Sequence, residues 1–465
     1  MYSPSSRRPR RPSLKSPAAF AVLLTTWLSS CASSPDAQIV RERTNELYGG
    51  PPGSRSQPID GPVPDRKEVR AKADLDLYSR FGMFHNAGLR AVYENWRAAL
   101  ERIAQASSLP DPVLTFAQFV EEVQTRTGPQ ERRYGISQKV PWFGKRRLRG
   151  EIAAGAAEEL WHQVTAHRQA IRRDIALAFH EYAYLAHSSR ITNQVLTILK
   201  QLEPVVQRRI RAGGRQEDLL RLQVEIGKVE NELRALREVR PALSARLAAV
   251  MNWTEGGVLP LPETTPAQPH AVDPAEMIAR ADSRNPRTRE LVQSVATIRT
   301  AQDLADRDRW PDFRIGFDYI ETGNALSSAT RGSGNDPFGV SFGIQLPIQS
   351  RRYDAAASEV AHRNAAAQAA LQQHRFTLRA DIELAAFRLS DAGRQIALYR
   401  DTLLPRSREL LTVTRASYRG GTASLLDMLD SERSLLDFEL AYWRASRDYL
   451  QGEAHLAFHV GGKIR

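Results

Sequence analysis

Two stretches of this 465-residue chain repeat one plan at an offset of 206–207 residues, and that duplication constrains the fold more than any other feature. Each copy reads as a helix, two short alternating strands, one very long helix, a glycine-pair turn and a returning helix. Pro141-Trp-Phe-Gly-Lys-Arg-Arg147 closes the first strand pair, and Pro347-Ile-Gln-Ser-Arg-Arg-Tyr353 closes the second. From each, an Ala- and Arg-rich helical pattern runs to a glycine pair, Gly213-Gly214 or Gly420-Gly421. The stretch from Lys145 to Arg211 would span about 100 Å at the helical rise. Pro204 and Pro405 lie inside these patterns and predict a bend or an early end.

The returning helices carry the cleanest periodicity. Leu222, Ile226, Val229, Leu233, Leu236, Leu243, Leu247 and Val250 follow alternating steps of four and three, with Arg240 in the gap. The same offset gives Leu429, Arg433, Leu436, Leu440, Trp443, Leu450, Ala454 and Ala457. One seam repeated this way argues for coiled-coil packing of the long helices.

In the second copy Phe313, Ile315, Phe317 and Tyr319 alternate with Arg314, Gly316 and Asp318. After a polar loop, Phe338, Val340, Phe342, Ile344 and Leu346 alternate with Gly339, Ser341, Gly343 and Gln345. A bulky, aromatic face backed by a small or polar one is the pattern of a lipid-facing barrel strand with a wet interior. The first copy repeats it less clearly, with Val113–Val123 and Tyr134–Val140 flanking Thr125–Arg132 as a connecting loop. The alternative is a pair of soluble hairpins packed on a core. Four strands close no barrel, and an open edge cannot face lipid, so the membrane reading requires oligomerisation. Two copies give eight strands and a lumen filled by side chains; three give twelve and room for a channel. Geometry favours at least a trimer.

The N-terminus reads as an export signal. Arg7, Arg8, Arg10, Arg11 and Lys15 precede Pro17–Leu28, an apolar run too short to cross a bilayer as a helix. The formal charge is +12, and removing these five leaves a modest excess. No basic patch with interleaved aromatics lies on a nucleic-acid-binding motif, so no nucleic-acid partner is expected. The run ends in Leu28-Ser29-Ser30-Cys31, and Cys31 is the chain's only cysteine, which excludes an intrachain disulfide. No later segment offers a transmembrane helix.

Leu28–Cys31 resembles a bacterial lipobox, which implies acylation of the Cys31 thiol after cleavage. Ala32 follows, where aspartate favours inner-membrane retention in many lipoproteins, so the resemblance points to the outer membrane. From Phe84 to Gly462 the chain resembles the TolC-like outer-membrane factor family. The resemblance rests on both strand pairs, the block Gly135–Arg147 and the glycine turns, above all Tyr418-Arg-Gly-Gly421-Thr-Ala-Ser-Leu-Leu-Asp427-Met-Leu-Asp430. It implies an α+β membrane protein, a homotrimer with a twelve-stranded outer-membrane β-barrel on a periplasmic coiled-coil α-barrel. It further implies a tip, at Gly213, Gly214, Gly420 and Gly421, that docks a periplasmic adaptor (membrane fusion protein) and an inner-membrane transporter of the RND type. Tyr418, Asp427 and Asp430 match residues of the family's periplasmic gate, where threefold symmetry makes each aspartate a carboxylate ring that favours cations. The alternative is that both are solvated residues in a helix's first turns. Ala423 stands where some relatives carry arginine, so a closing salt bridge must use another cation, such as Arg419 or Arg415.

The resulting division is a signal peptide over 1–30, a lipid-anchored arm over 31–75, repeats over 76–254 and 273–465, and a Pro-rich linker over 255–272. No P-loop, dinucleotide fingerprint, nucleophile elbow or zincin motif appears, so neither enzyme activity nor a cofactor is expected. His455 and His459 are read as structural rather than as metal ligands, and His180 and His187 as tunnel-wall or packing residues. The expected function is an outer-membrane exit duct of a tripartite efflux system, with the Gln138–Arg146 block nearest to the heavy-metal cation branch. Drug efflux or a type I secretion duct of the same fold is the alternative. A periplasmic adaptor or a rod-like structural lipoprotein is the reading without a channel.

Overall fold

The computed structural model describes residues 63–327 and 329–464. The signal segment, Cys31 and most of the arm therefore lie outside the described residues. Three helices lead in: α1 (Arg66–Ala71), α2 (Leu75–His85) and α3 (Ala87–Ser107). The first hairpin is β1 (Val113–Thr125) and β2 (Gly128–Val140), followed by α4 (Lys145–Arg211) and α5 (Gln216–Val250). The second copy opens with α6 (Pro274–Arg284) and α7 (Pro286–Arg307), then β3 (Asp312–Thr322) and β4 (Phe338–Gln345). It returns through α8 (Ser350–Leu398), a π turn (Tyr399–Leu403), α9 (Leu404–Gly420) and α10 (Leu425–Val460). The duplicated order read from the sequence is the order observed.

Two compact units result. Residues Ala99–Gly155 and Thr297–Arg363 form one, built on the sheet; most of the helical residues form the other.

In the sheet unit the hairpins of the two repeats join into one antiparallel sheet of order β1-β2-β3-β4. Register pairs Val140 with Phe313, Ile136 with Phe317 and Tyr134 with Tyr319, then Phe313 with Ile344 and Phe317 with Val340. The first hairpin corrects the expected loop. Residues 125–132 are mostly strand, and the connection is only Arg126-Thr127. Gly128 allows this tight passage: it holds φ +139°, and a Cβ there would lie 1.8 Å from the Gly323 carbonyl oxygen. The polar run that suggested a loop is a charged strand, in which Arg132 pairs with Glu321 (3.0 Å) and Arg133 with Asp318 (2.9 Å).

In the helical unit the seam is buried along α5 at Leu222, Ile226, Val229, Leu233 and Leu247. One core gathers Leu196, Leu199, Val206, Leu222 and Val229 around Tyr418, Leu425 and Leu429. A second gathers Met277, Leu378, Ile382, Leu389, Tyr449, Leu456 and Val460. The Pro-rich linker is fastened to this unit. Leu259 and Ala267 are buried. Side chains accept the linker's backbone N–H groups: Ser244 Oγ from Leu259, Ser446 Oγ from Ala267 and Tyr449 Oη from His270.

Neither proline ends its helix. Pro204 sits inside a continuous α4. In the second repeat the π turn directly precedes Pro405, at the first turn of α9. A wider turn relieves the clash between a proline ring and the carbonyl four residues back, so the helical path continues.

Candidate functional site

Strand alternation makes the sheet two-faced. One face carries Leu114, Phe116, Tyr134, Ile136, Phe313, Ile315, Phe317, Tyr319, Phe338, Val340, Phe342 and Ile344, by their paired positions. Aromatic rings run across it: Phe116 to Tyr134 at 5.3 Å, Phe317 to Phe338 at 6.2 Å and Phe313 to Phe342 at 5.6 Å between centroids. Among the described residues nothing covers the β4 part, where Phe338, Val340, Phe342 and Ile344 are 50–66% exposed. The opposite face carries Arg133, Lys139, Asp312, Arg314 and Asp318 with glycine and serine between them. Its charges pair across strands, Lys139 with Asp312 at 3.2 Å as well as Arg133 with Asp318. Gly316 fits closely on this side, since a Cβ would approach Ser341 Oγ to 2.4 Å. Among the described residues no helix is long and apolar enough to cross a membrane.

The turn site lies in the helical unit. After α4, Gly213 adopts φ +98°; after α9, it is Gly421, with φ +82°. These are the first glycine of one pair and the second of the other: Arg211, where α4 ends, corresponds to Tyr418, whereas α9 continues to Gly420. The Gly421 N–H and the Thr422 N–H donate back to the last turn of α9, closing its carbonyls. Gly214 passes close to the Arg209 carbonyl, 2.9 Å from where a Cβ would sit.

Tyr418 is buried, and its hydroxyl makes no hydrogen bond among the described residues. Arg209, at the end of α4, lies over its ring at 4.5 Å and donates to its carbonyl oxygen at 3.0 Å. Asp427 is the third residue of a capping box. Its carboxylate accepts from Ser424 N (2.9 Å) and Ser424 Oγ (2.7 Å), while its own N–H donates to Ser424 Oγ (3.2 Å). Those bonds hold the Asp427 carboxyl below its usual pKa. Asp430 is exposed, 3.3 Å from Arg433. Arg415, one of the cations expected near the aspartates, instead donates from Nε to buried Glu432 at 3.0 Å. Arg419 is exposed.

Several residues here were not foreseen from sequence. Arg209 reads there as one basic residue among several at a helix end, and Glu225 and Glu432 as surface charges. The 207-residue offset does relate the two glutamates, and that was the available signal.

The histidines are packing groups. His187 stacks on Trp443 with centroids 3.4 Å apart, its Nε2 lies 3.0 Å from Thr264 Oγ1, and burial lowers its pKa to about 4. His180 is buried and likewise lowered to about 4. His459 and His455 are lowered by burial as well. Among the described residues no group of three or more His, Cys, Asp or Glu side chains is placed to hold a metal ion.

Residues 277–462, almost the whole second repeat, match the family model described as outer membrane efflux protein. Over that stretch the chain is similar to the outer membrane efflux protein family. Solved members of this architecture extend the likeness over both repeats. CusC, whose structures concern folding and transmembrane channel formation, superposes with a TM-score of 0.68 at 14% identity, covering 88% of this chain and 98% of its own. The open-state MtrE outer membrane channel of Neisseria gonorrhoeae gives 0.67 at 18% identity, over 88% and 98%. The outer membrane protein VceC of Vibrio cholerae gives 0.66 at 17%, over 87% and 100%. At these identities the likeness establishes a shared fold. No curated protein matches the chain.

Proposed function

We propose that this chain is an outer membrane efflux protein, the exit duct of a tripartite efflux system, a passive channel and not an enzyme. The observation that carries the reading is the four-stranded sheet with one uncovered aromatic face, one charged face and two unpaired edges, β1 and β4. A lone sheet of this kind cannot sit in lipid, because its edge N–H and C=O groups would go unpaired. Pairing β4 of one copy with β1 of the next in a homotrimer gives twelve strands, an apolar exterior and a lumen lined by Arg133, Lys139, Arg314 and Asp318. The two glycine turns become the periplasmic tip, facing a periplasmic adaptor and an inner-membrane pump of the RND type. Tyr418, Asp427 and Asp430 belong to its aperture. On this reading the chain divides into a signal peptide, a lipid-anchored arm from Cys31 and two efflux repeats joined by the docked linker.

Heavy-metal cations are the cargo class we assign, on the resemblance of the Gln138–Arg146 block. A deletion strain should become sensitive to such cations and regain resistance with the intact chain; sensitivity to drugs alone assigns it to the drug-exporting branch. The channel itself is tested in planar bilayers. The purified protein should give discrete conductance steps, and a membrane-inserted trimer without them is a structural lipoprotein instead. Radioactive palmitate should label the wild type and not Cys31→Ser.

A further inference from the structure

At the end of the sheet where β2 leaves for α4, the apolar face is prolonged by a tier of large aromatic rings. Trp142 stacks on Trp310 with centroids 5.1 Å apart and an interplanar angle of 16°. It also meets Phe143 at 5.9 Å and Phe313 at 5.4 Å. The tier sits on the two central strands, away from the open edges, yet Phe143 is 76% and Trp310 54% exposed. Its backbone is locked from beneath. Lys145 is buried and donates from Nζ to the Trp310 carbonyl at 2.8 Å and to Asp312 Oδ1 at 2.9 Å.

Positive charge adjoins these rings at Arg307, and the Arg309–Asp354 ion pair ties the start of α8 to the residue before Trp310. The Arg307 guanidinium donates to the Phe143 carbonyl at 3.1 Å and lies across Gly144, which holds φ +84° and leaves room for it. Arg351 and Arg352, at the corresponding point of the second repeat, are exposed at the start of α8. No ion pair engages Arg307, Arg351 or Arg352 among the described residues. The nearby carboxylates are already matched: Asp312 by Lys139 and Lys145, and Asp354 by Arg309 at 2.9 Å. The far end of the same face differs. There Tyr134 and Tyr319 form the outer tier, and Tyr319 donates to Asp336 at 2.6 Å. From Trp142 to Tyr134 is about 26 Å along the strand, or about 20 Å of height at a barrel tilt near 40°, close to the apolar band of such barrels.

We propose that the Trp142–Trp310 tier with Arg307, Arg351 and Arg352 is a binding surface for anionic phospholipid headgroups at the periplasmic boundary of the membrane. The proposal rests on the reading of the sheet as membrane-spanning. Indole and phenyl rings sit at the headgroup level with one side in hydrocarbon. Guanidinium groups at that height meet phosphates, and Arg presents a fork that binds them bidentately. An anionic headgroup adds a negative charge that a zwitterionic one lacks, so the surface discriminates between them.

The test reconstitutes the full-length protein in vesicles of phosphatidylethanolamine and phosphatidylglycerol at 3:1, recovers it in mild detergent and measures the lipid retained by native mass spectrometry. Retained phosphatidylglycerol should be enriched several-fold over its share of the vesicle. The enrichment should fall toward that share in 0.5 M salt, where charge attraction is screened. It should also fall in Arg307→Gln/Arg351→Gln/Arg352→Gln, and persist in the corresponding triple Lys variant. A wild type that retains the two lipids in their bulk ratio overturns the proposal, as does enrichment unchanged by both salt and the Gln variant. Flotation with the vesicles is read separately. A wild type that fails to float overturns the membrane-spanning sheet and this proposal with it; one that floats without lipid preference overturns this proposal alone.

Discussion

Glu225 and Glu432 occupy the same position of the two returning helices, 207 residues apart, and each is buried against an arginine. Arg433 serves Glu225, donating from Nε at 2.7 Å, and Arg415 serves Glu432. The first pair crosses from α5 to α10 and so ties the two repeats together; the second stays between α9 and α10.

Arg433→Ala leaves Glu225 buried without its partner. Breaking a buried pair costs several kcal/mol, and the partial exposure of Arg433 reduces this to about 1–3 kcal/mol. Glu225→Gln keeps an acceptor and should cost less. The Arg433 hydrogen bonds hold the Glu225 carboxyl below its ordinary 4.5. A lowered folded-state pKa stabilises above the unfolded value and is lost on acidification, so this contribution fades as pH falls below about 4.5. Thermal unfolding of the detergent-solubilised protein from pH 7 to 3 should fall more steeply for wild type than for Glu225→Gln. Parallel curves would remove the pair from the account.

The glycine pairs should respond asymmetrically. Gly421→Ala forces a side chain into the left-handed region and should destabilise by about 1–2 kcal/mol. Gly420→Ala, inside α9 with nothing near its Cβ position, should be neutral or slightly stabilising. In the first turn both glycines should be sensitive, Gly213 for its φ of +98° and Gly214 because a Cβ would lie 2.9 Å from the Arg209 carbonyl oxygen. Equal effects of Gly420→Ala and Gly421→Ala on the unfolding midpoint would contradict the turn geometry.

Phe317→Arg/Phe342→Arg places two charges per chain on the apolar face, at about 2–4 kcal/mol each near mid-membrane. Outer-membrane trimer levels should collapse. Gly343→Ser is the control, since a Cβ there meets only Arg314 at 3.6 Å and the position lies on the charged face. Gly316→Ser is not a neutral control, because Ser341 Oγ already fills that space. Unchanged trimer in the Arg variant would reverse the assignment of faces.

Asp427→Asn/Asp430→Asn should reduce cation preference and weaken block by a hexaammine ion added from the periplasmic side of single channels. Asn at 427 retains an oxygen for the Ser424 N–H and Oγ, so the cap survives while the charge is lost. Ser424→Ala is the converse variant: it loosens the cap, keeps both charges and should leave block nearly unchanged. Selectivity and block unaltered in the Asn double variant would leave Asp427 a capping residue only.

The order of elements was legible because periodicity, glycine pairs and length leave few alternatives over stretches such as Lys145–Arg211. The strands from Phe313 to Gln345 were legible for the same reason, since alternation was unbroken. It failed between Thr125 and Arg132, where side chains on both faces are polar and a strand looks like a loop; the pairing of Arg132 and Arg133 with β3 is a tertiary fact. At the turn, Tyr418 and Asp427 stood out by resemblance, but their immediate partners did not. Arg209 meets Tyr418 across 209 positions, and no local pattern encodes that meeting. Arg415 looked available to the aspartates because Glu432 gives no sequence sign of being buried.

The unpaired edges of β1 and β4 bear on how the cell must handle the newly made chain. A free strand edge templates whatever backbone it meets, and here both flank an aromatic face. Such a subunit gains nothing by completing its sheet alone and waiting. Its folding should depend on encounter, with a yield that rises with local subunit concentration and falls once escorts are removed from the periplasm. In the proposed trimer, insertion and assembly then become one event.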